Sequence, residues 1–306
     1  MSYDPKDPSL AFTLPFQLTK KLHRETPAEL SPEDPKNSTA GKIIVITGGG
    51  SGIGAAAAKV WVRAGAEGVV IAGRRNDVLE RTLVELEALG GGRTKVLAVQ
   101  TDISKESDTS NLFEQVKKTF GRPADVVLAN AAYCGPLLKP HQESTEQWWS
   151  RFETNVLGLH NVAVSFIKSQ PNPDEPTGTI ISVNSAMGGV VHSGTSAYSI
   201  SKLASQRYIE YLNFEYPTLR VFSLLPGLVA TDMVAPQFLY LSKDGVGQVG
   251  ALASYLASPR ADYLRGSMTS INWDIHEMED HKEEIGEGAL KISWLPVLPV
   301  SGGHGF

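Results

Sequence analysis

The sequence predicts an α/β fold of three layers, a doubly wound parallel sheet flanked by helices, and two observations carry the prediction. From Lys42 onward, short apolar β-branched runs (43–46, 69–71, 126–128 and 179–181) alternate with longer amphipathic stretches, the pattern of strand, crossover helix and parallel strand. The first of these runs passes directly into a glycine-rich turn, Thr47-Gly48-Gly49-Gly50-Ser51-Gly52-Ile53-Gly54, followed by the helix-favouring Ala55–Ala58. No linker divides 41–272, so this stretch reads as one domain. Residues 1–40 hold six prolines and no sustained period and read as an arm that chemistry does not need, with the mixed stretch 11–21 able to dock on the domain. Residues 273–306 read as a tail that packs on the domain or extends it.

Composition limits the function. The 306 residues carry a formal net charge of −5, and no cluster of Lys and Arg offers a field to nucleic acid or to an anionic membrane surface. No apolar run approaches the ~20 residues of a membrane span, and the opening is polar and proline-punctuated, so a cytoplasmic location is expected. Cys134 is the single cysteine, which leaves no intrachain disulfide. The seven histidines show no compact ligand spacing, so no metal site is expected. A small molecule is the expected partner.

Strand, glycine turn and helix in that order form the sequence signature of a Rossmann-type dinucleotide site. Glycines allow positive φ and close backbone approach, and the helix N-terminus offers free N–H groups and a positive dipole end to a pyrophosphate. Gly48, Ser51, Gly52, Ile53 and Gly54 are therefore candidate cofactor ligands. About 20 residues on, at the end of the second strand, an acid would hold a ribose 2′-hydroxyl. This chain has Arg74 and Arg75 there, which favour a 2′-phosphate and hence NADP(H). Asp77 reads as the cap or first-turn charge of the next helix.

Tyr198 and Lys202 stand four apart in a helical segment and so project from one face. A phenol is a poor acid or base near neutrality, and an adjacent ammonium is expected to lower its pKa and make it a usable proton donor. Ser185 ends a strand-like run thirteen residues before Tyr198.

Taken together, these motifs closely resemble the short-chain dehydrogenase/reductase family. Thr47–Gly54 match its turn, and Asp102-Ile103 resemble the pair that contacts adenine. Ala129-Asn130-Ala131-Ala132 resembles the mid-chain Asn element, with Ala129 and Ala132 departing from it. Asn155 matches the helix Asn, Ser185, Tyr198 and Lys202 match the catalytic set, and Pro226–Met233 match the stretch that folds over the nicotinamide, with Pro226, Val229 and Thr231 as cofactor contacts.

The resemblance implies that Ser185 orients a carbonyl, that Tyr198 transfers a proton, that Lys202 tunes Tyr198 and holds the nicotinamide ribose, and that Asn155 anchors a relay water. It also implies a homodimer or homotetramer, and the arm and tail are similar to those of filamentous fungal members, many of which act in natural-product pathways. The expected activity is NADPH-dependent reduction of a small, partly apolar carbonyl compound, or its reversal. A redox-silent isomerase, dehydratase or cyclase and a nucleotide-sensing protein stand as alternatives. His192, between Ser185 and Tyr198, is a candidate substrate contact, Trp148 and Trp149 read as core or interface packing, and 234–247 reads as the specificity segment.

Overall fold

The computed structural model describes residues 3–4 and 6–293. Seven strands, β1 (Ile43–Thr47), β2 (Gly68–Gly73), β3 (Lys95–Gln100), β4 (Val126–Ala129), β5 (Thr179–Val183), β6 (Arg220–Leu225) and β7 (Met268–Ser270), form one sheet in the order β3-β2-β1-β4-β5-β6-β7. Every pairing is parallel, so both faces need helical cover. The period-2 geometry of β1 shows how the sheet is sealed. Ile44 and Ile46 point into a core shared with Trp61, Phe222 and Leu252, whereas Ile43 and Val45 point into the opposite core with Phe113, Phe166 and Ile209.

The first core lies under α1 (Gly52–Arg63), α2 (Asn76–Gly90) and α7 (Gln248–Leu256), and the second under α3 (Glu106–Phe120), α5 (Gly158–Ser169) and α6 (Ser196–Glu215). A shorter α4 (Thr145–Phe152) precedes α5 and is capped by Ser144, whose hydroxyl accepts from Gln147 N in a reciprocal capping box. Between α4 and α5, residues Glu153–Leu157 form a π-helical turn. The strand order reverses between β1 and β4, and a crevice opens beyond their C-terminal ends.

Among the described residues of the arm, the regular structure consists of short 3-10 turns, yet Leu10 and Leu30 are buried. The arm is fastened to the segment after β7. Trp273 Nε1 donates to Phe16 O at 2.8 Å, His23 N donates to Asn272 O at 3.0 Å, and Leu22 forms an antiparallel bridge with Trp273. Asp274 is the cap of α8 (Ile275–Asp280) and also accepts from Lys21 and His23. Residues 294–306 of the expected tail lie outside the described residues.

Candidate active site

The glycine turn is shaped by steric necessity at two positions. Gly48 has φ +67°, and a Cβ on Gly54 would fall 2.2 Å from Gly48 O, so the start of α1 can lie against the turn only without a side chain there. Asn130 locks this contact from β4: its Nδ2 donates to Thr47 O at 2.9 Å, while Thr47 Oγ1 accepts from Asn130 N and Ala131 N at 3.1 Å each. The Asn130 element thus ties the ends of β1 and β4 together at the crevice. Ser51 precedes α1 and makes no side-chain cap bond, so the first-turn N–H groups of Gly52, Ile53 and Gly54 have no cap from it. Thr231 lies over this end of α1, its Cγ2 3.2 Å from where a Gly52 Cβ would stand.

At the end of β2, Arg74 and Arg75 are exposed, and neither guanidinium has a partner among the described residues. Asp77 sits in the first turn of α2, where it pairs with Arg81 at 3.0 Å; the residue in the cap position is Arg75. The Asp102 carboxylate accepts from Ser104 N and Oγ, and Ile103 is buried against Gly158 of α5. A cradle that a Cβ would fill, a helix N-terminus and two guanidiniums without partners among the described residues together fit a nicotinamide dinucleotide.

Beyond the ends of β4 and β5 the structure brings Asn155, Lys202 and the Ser185–Tyr198 pair together. Asn155 occupies the π turn and is buried. Its Oδ1 accepts from Tyr133 N at 2.8 Å, and its Nδ2 donates to Tyr133 O and Ser201 Oγ at 2.9 Å each. Ser205 Oγ donates to the Asn155 carbonyl at 2.9 Å. Lys202 Nζ donates to Val183 O at 2.9 Å. A polar cavity of about 10 Å³ lies between Thr47, Asn155, Ser182, Lys202 and Ser205, about the room that one water molecule occupies. Ser185 caps the 3-10 turn Ala186–Gly189, its Oγ accepting from Met187 N.

The electrostatics differ from the expectation for a Tyr beside an ammonium. Burial dominates at Tyr198 and pushes its phenol up to about 12, against a lowering influence from Ser185. Burial likewise brings Lys202 down to about 8. The Lys202 ammonium is aimed at Val183 O and stands 5.9 Å from the centre of the Tyr198 ring, and burial, not this ammonium, dominates the phenol's proton affinity.

Two groups escaped the sequence reading. Arg151 is buried on α4 and pairs with Glu143 at 2.6 Å, and it also donates to Cys134 O, Pro136 O and Gln147 O. This clamps the loop after β4 beside the site. Gly135 (φ +70°) crosses so close that a Cβ would meet the guanidinium at 2.4 Å. No sequence signal marked Arg151: the apolar side chains of this segment, Trp148, Trp149, Phe152 and Val156, gather on a different face of the helix. The second group is the buried Asp244, whose Oδ2 accepts from Leu228 N at 2.6 Å.

Other candidates lie apart from the catalytic set. His192 is exposed, with Nδ1 at 3.0 Å from Ser193 O. Trp148, Trp149 and Phe152 stack on one another, and Trp149 and Phe152 line a surface groove with Tyr208 and Tyr211. Burial pushes the Cys134 thiol up. His23, Glu29 and Asp274 approach one another within 4.8 Å, but Lys21 and the N-terminus of α8 already engage the Asp274 carboxylate. Among the described residues no helix is long and apolar enough to cross a membrane.

Comparison with known proteins agrees with this geometry. The chain is 29% identical over 298 residues to the short chain dehydrogenase pgmD of Aspergillus terreus, covering 91% of this chain and 94% of that protein. It is 27% identical over 298 residues to the short chain dehydrogenase pigC of Monascus ruber, covering 92% and 94%. The crystal structure of NADPH-dependent 3-quinuclidinone reductase from Rhodotorula rubra superposes with a TM-score of 0.68 at 25% identity, over 82% of this chain and 96% of that one. The short chain dehydrogenase family model matches residues 42–239, and with the seven-stranded parallel sheet and the glycine turn in place, the chain belongs to that family.

Proposed function

We propose that this protein is an NADPH-dependent carbonyl reductase, able to run in reverse as an alcohol dehydrogenase, on a small and partly apolar molecule. The observation that carries the reading is the meeting of Asn155 and Lys202 on one cavity beyond the ends of β4 and β5, beside a Tyr198 phenol hydrogen-bonded with Ser185 and protonated at neutral pH. A protonated phenol is the form a carbonyl needs when hydride arrives at its carbon.

The nicotinamide, when bound, supplies that hydride. The chain's own residues do the rest. Ser185 Oγ orients the carbonyl and stabilises charge growing on its oxygen, and Tyr198 Oη delivers the proton. Lys202 holds the nicotinamide ribose and, once turned toward it, favours the phenolate left behind. Asn155 and the small polar cavity hold the water that returns a proton to Tyr198. Gly48, Ser51, Gly52, Ile53 and Gly54 receive the pyrophosphate, Arg74 and Arg75 the 2′-phosphate, Asp102 and Ile103 the adenine, and Asn130, Pro226, Val229 and Thr231 line the nicotinamide half.

Exposed apolar side chains on the loops after β4, β5 and β6, including Tyr133, Val190, Met233 and Leu239, support a partly apolar substrate. On this reading 41–272 is the catalytic domain, with 1–40 as an arm and 273–306 as a tail, and the protein works in the cytoplasm. A homodimer or homotetramer would cover the aromatic groove between α4 and α6. The kinship with fungal short chain dehydrogenases supports a place in secondary metabolism. Mixing the protein with NADPH and a panel of ketones tests the activity: loss of NADPH absorbance with formation of a secondary alcohol is expected. Tight binding of NADPH without oxidation against any carbonyl would turn the reading toward a redox-silent enzyme.

A further inference from the structure

The arm reaches two walls of the site. Arg24 Nε donates to the buried Asp244 Oδ1 at 2.9 Å, and the same guanidinium donates to Leu241 O at 3.4 Å and to Ser9 Oγ at 2.7 Å. Asp244 passes this anchorage on. Its Oδ2 accepts from Leu228 N at 2.6 Å, its own N–H donates to Leu228 O at 3.2 Å, and its Oδ1 also accepts from Asn272 Nδ2 at 3.1 Å. Gly227 has φ +66°, and a Cβ there would fall 2.4 Å from Asp244 Oδ2, so the loop after β6 is fitted around this carboxylate. Further out, the Phe12 ring meets Phe238 edge-on at 5.9 Å, on the 3-10 segment Pro236–Leu241. On the opposite wall, Phe16 lies 3.6 Å from where a Cβ on Gly189 would be, in the turn that Ser185 caps.

We infer that Arg24 is a positioning residue for the site: through Asp244 it holds the segment 226–241 in place, and the arm is an outer support of the substrate pocket. The inference rests on the reading above, in which 226–233 faces the nicotinamide and 234–247 faces the substrate. Physically, a carboxylate with a fully buried side chain is tolerable only while paired. Asp244 has one cationic partner among the described residues, and the arm supplies it. Without Arg24 the loop would keep its fold only by hydrating Asp244, which means opening the segment that covers it.

Hydrogen exchange on the full-length chain tests this without requiring turnover. In Arg24→Met, the amides of Leu228 and Asp244 are expected to exchange at least about tenfold faster than in the parent, while β1 and β4 amides keep their rates. NADPH, titrated by protein fluorescence, is expected to bind about fivefold more weakly, and Arg24→Lys to recover part of both effects. Parent-like exchange at Leu228 and Asp244 overturns the inference, as does equal acceleration across β1 and β4, which marks a general stability effect.

If Arg24→Met does not fold, Phe12→Ala carries the test, since its partly exposed ring leaves no charge unpaired. Faster exchange at the Phe238 and Ser242 amides is expected, and unchanged rates there overturn the role of the arm. A protein that binds NADPH and reduces no carbonyl would defeat the proposed activity and leave these exchange results readable. A working reductase with unchanged exchange would defeat only the role of the arm.

Discussion

Lys202 Nζ donates to Val183 O at 2.9 Å while standing 5.9 Å from the centre of the Tyr198 ring, so the ammonium is held by the sheet and not by the phenol. The two residues share a helix face, yet their protons are governed by burial first.

That arrangement fixes a pH dependence. Burial lowers the Lys202 pKa to about 8, so its ammonium is present below that pH and is lost as pH rises through it. Affinity for NADPH should therefore be level up to about pH 7 and fall as pH rises past 8. In Lys202→Met, affinity should be weaker throughout and lack this alkaline fall. Fluorescence titration across pH 6 to about 9.5 decides, and a parent profile that is flat through pH 8 contradicts the ribose-holding role.

Tyr198→Phe removes the transferable proton and little else. Its kcat should fall by about a hundredfold or more, the general acid–base range, with the dissociation constant for NADPH within about twofold of the parent. Single-turnover measurement separates binding from chemistry. Retention of near-parent kcat would assign the proton to another group.

The role proposed for Arg74 and Arg75 predicts the cofactor choice. Each unpaired guanidinium can form a charge-assisted bond to a 2′-phosphate worth about 1.5–3 kcal/mol, on the order of ten- to a hundredfold in affinity. NADPH should exceed NADH in kcat/KM by at least that factor. Changing both residues to Ala should abolish most of the preference while sparing NADH use, and adding Gly73→Asp should invert it. Equal use of the two cofactors by the parent protein would refute the assignment.

Arg151 offers a stability test. Arg151→Ala leaves Glu143, two loop carbonyls and the Gln147 carbonyl of α4 without their buried donor, and breaking such a pair costs about 3–5 kcal/mol. Urea unfolding should show a loss in that range, and KM for the carbonyl substrate should rise more than kcat falls, because the clamped loop borders the pocket. A loss below about 1 kcal/mol would mean that water replaces the guanidinium.

The parts of the site legible in the sequence are local ones. The glycine turn occupies eight consecutive residues, and Tyr198 and Lys202 are a single helical turn apart, so spacing alone places them. The alternation of apolar runs gives the parallel sheet for the same reason. Arg151 with Glu143 and Arg24 with Asp244 were not legible, because a charge in an amphipathic stretch ordinarily faces water and only packing reveals that these do not. The π turn at Asn155 was hidden too: one residue beyond the helical count leaves no compositional mark. The arm docks through more than the stretch 11–21 that the sequence offers for it, its contacts reaching Leu22, His23 and Arg24. Its prolines do preclude long helices, but its aromatic and cationic side chains dock individually, which needs no periodicity.

The ion pair between Arg24 and Asp244 also has a timetable. The two residues are separated by 220 positions, so Arg24 leaves the ribosome long before its partner is made. At a synthesis rate of about 5–20 residues per second, the interval is on the order of ten to forty seconds. Throughout that time the sheet can grow from β1 outward to β6 while the arm has nothing to bind. The arm, though made early, is therefore among the last parts to find its place, and the segment after β6 stays unfastened until Asp244 has been made.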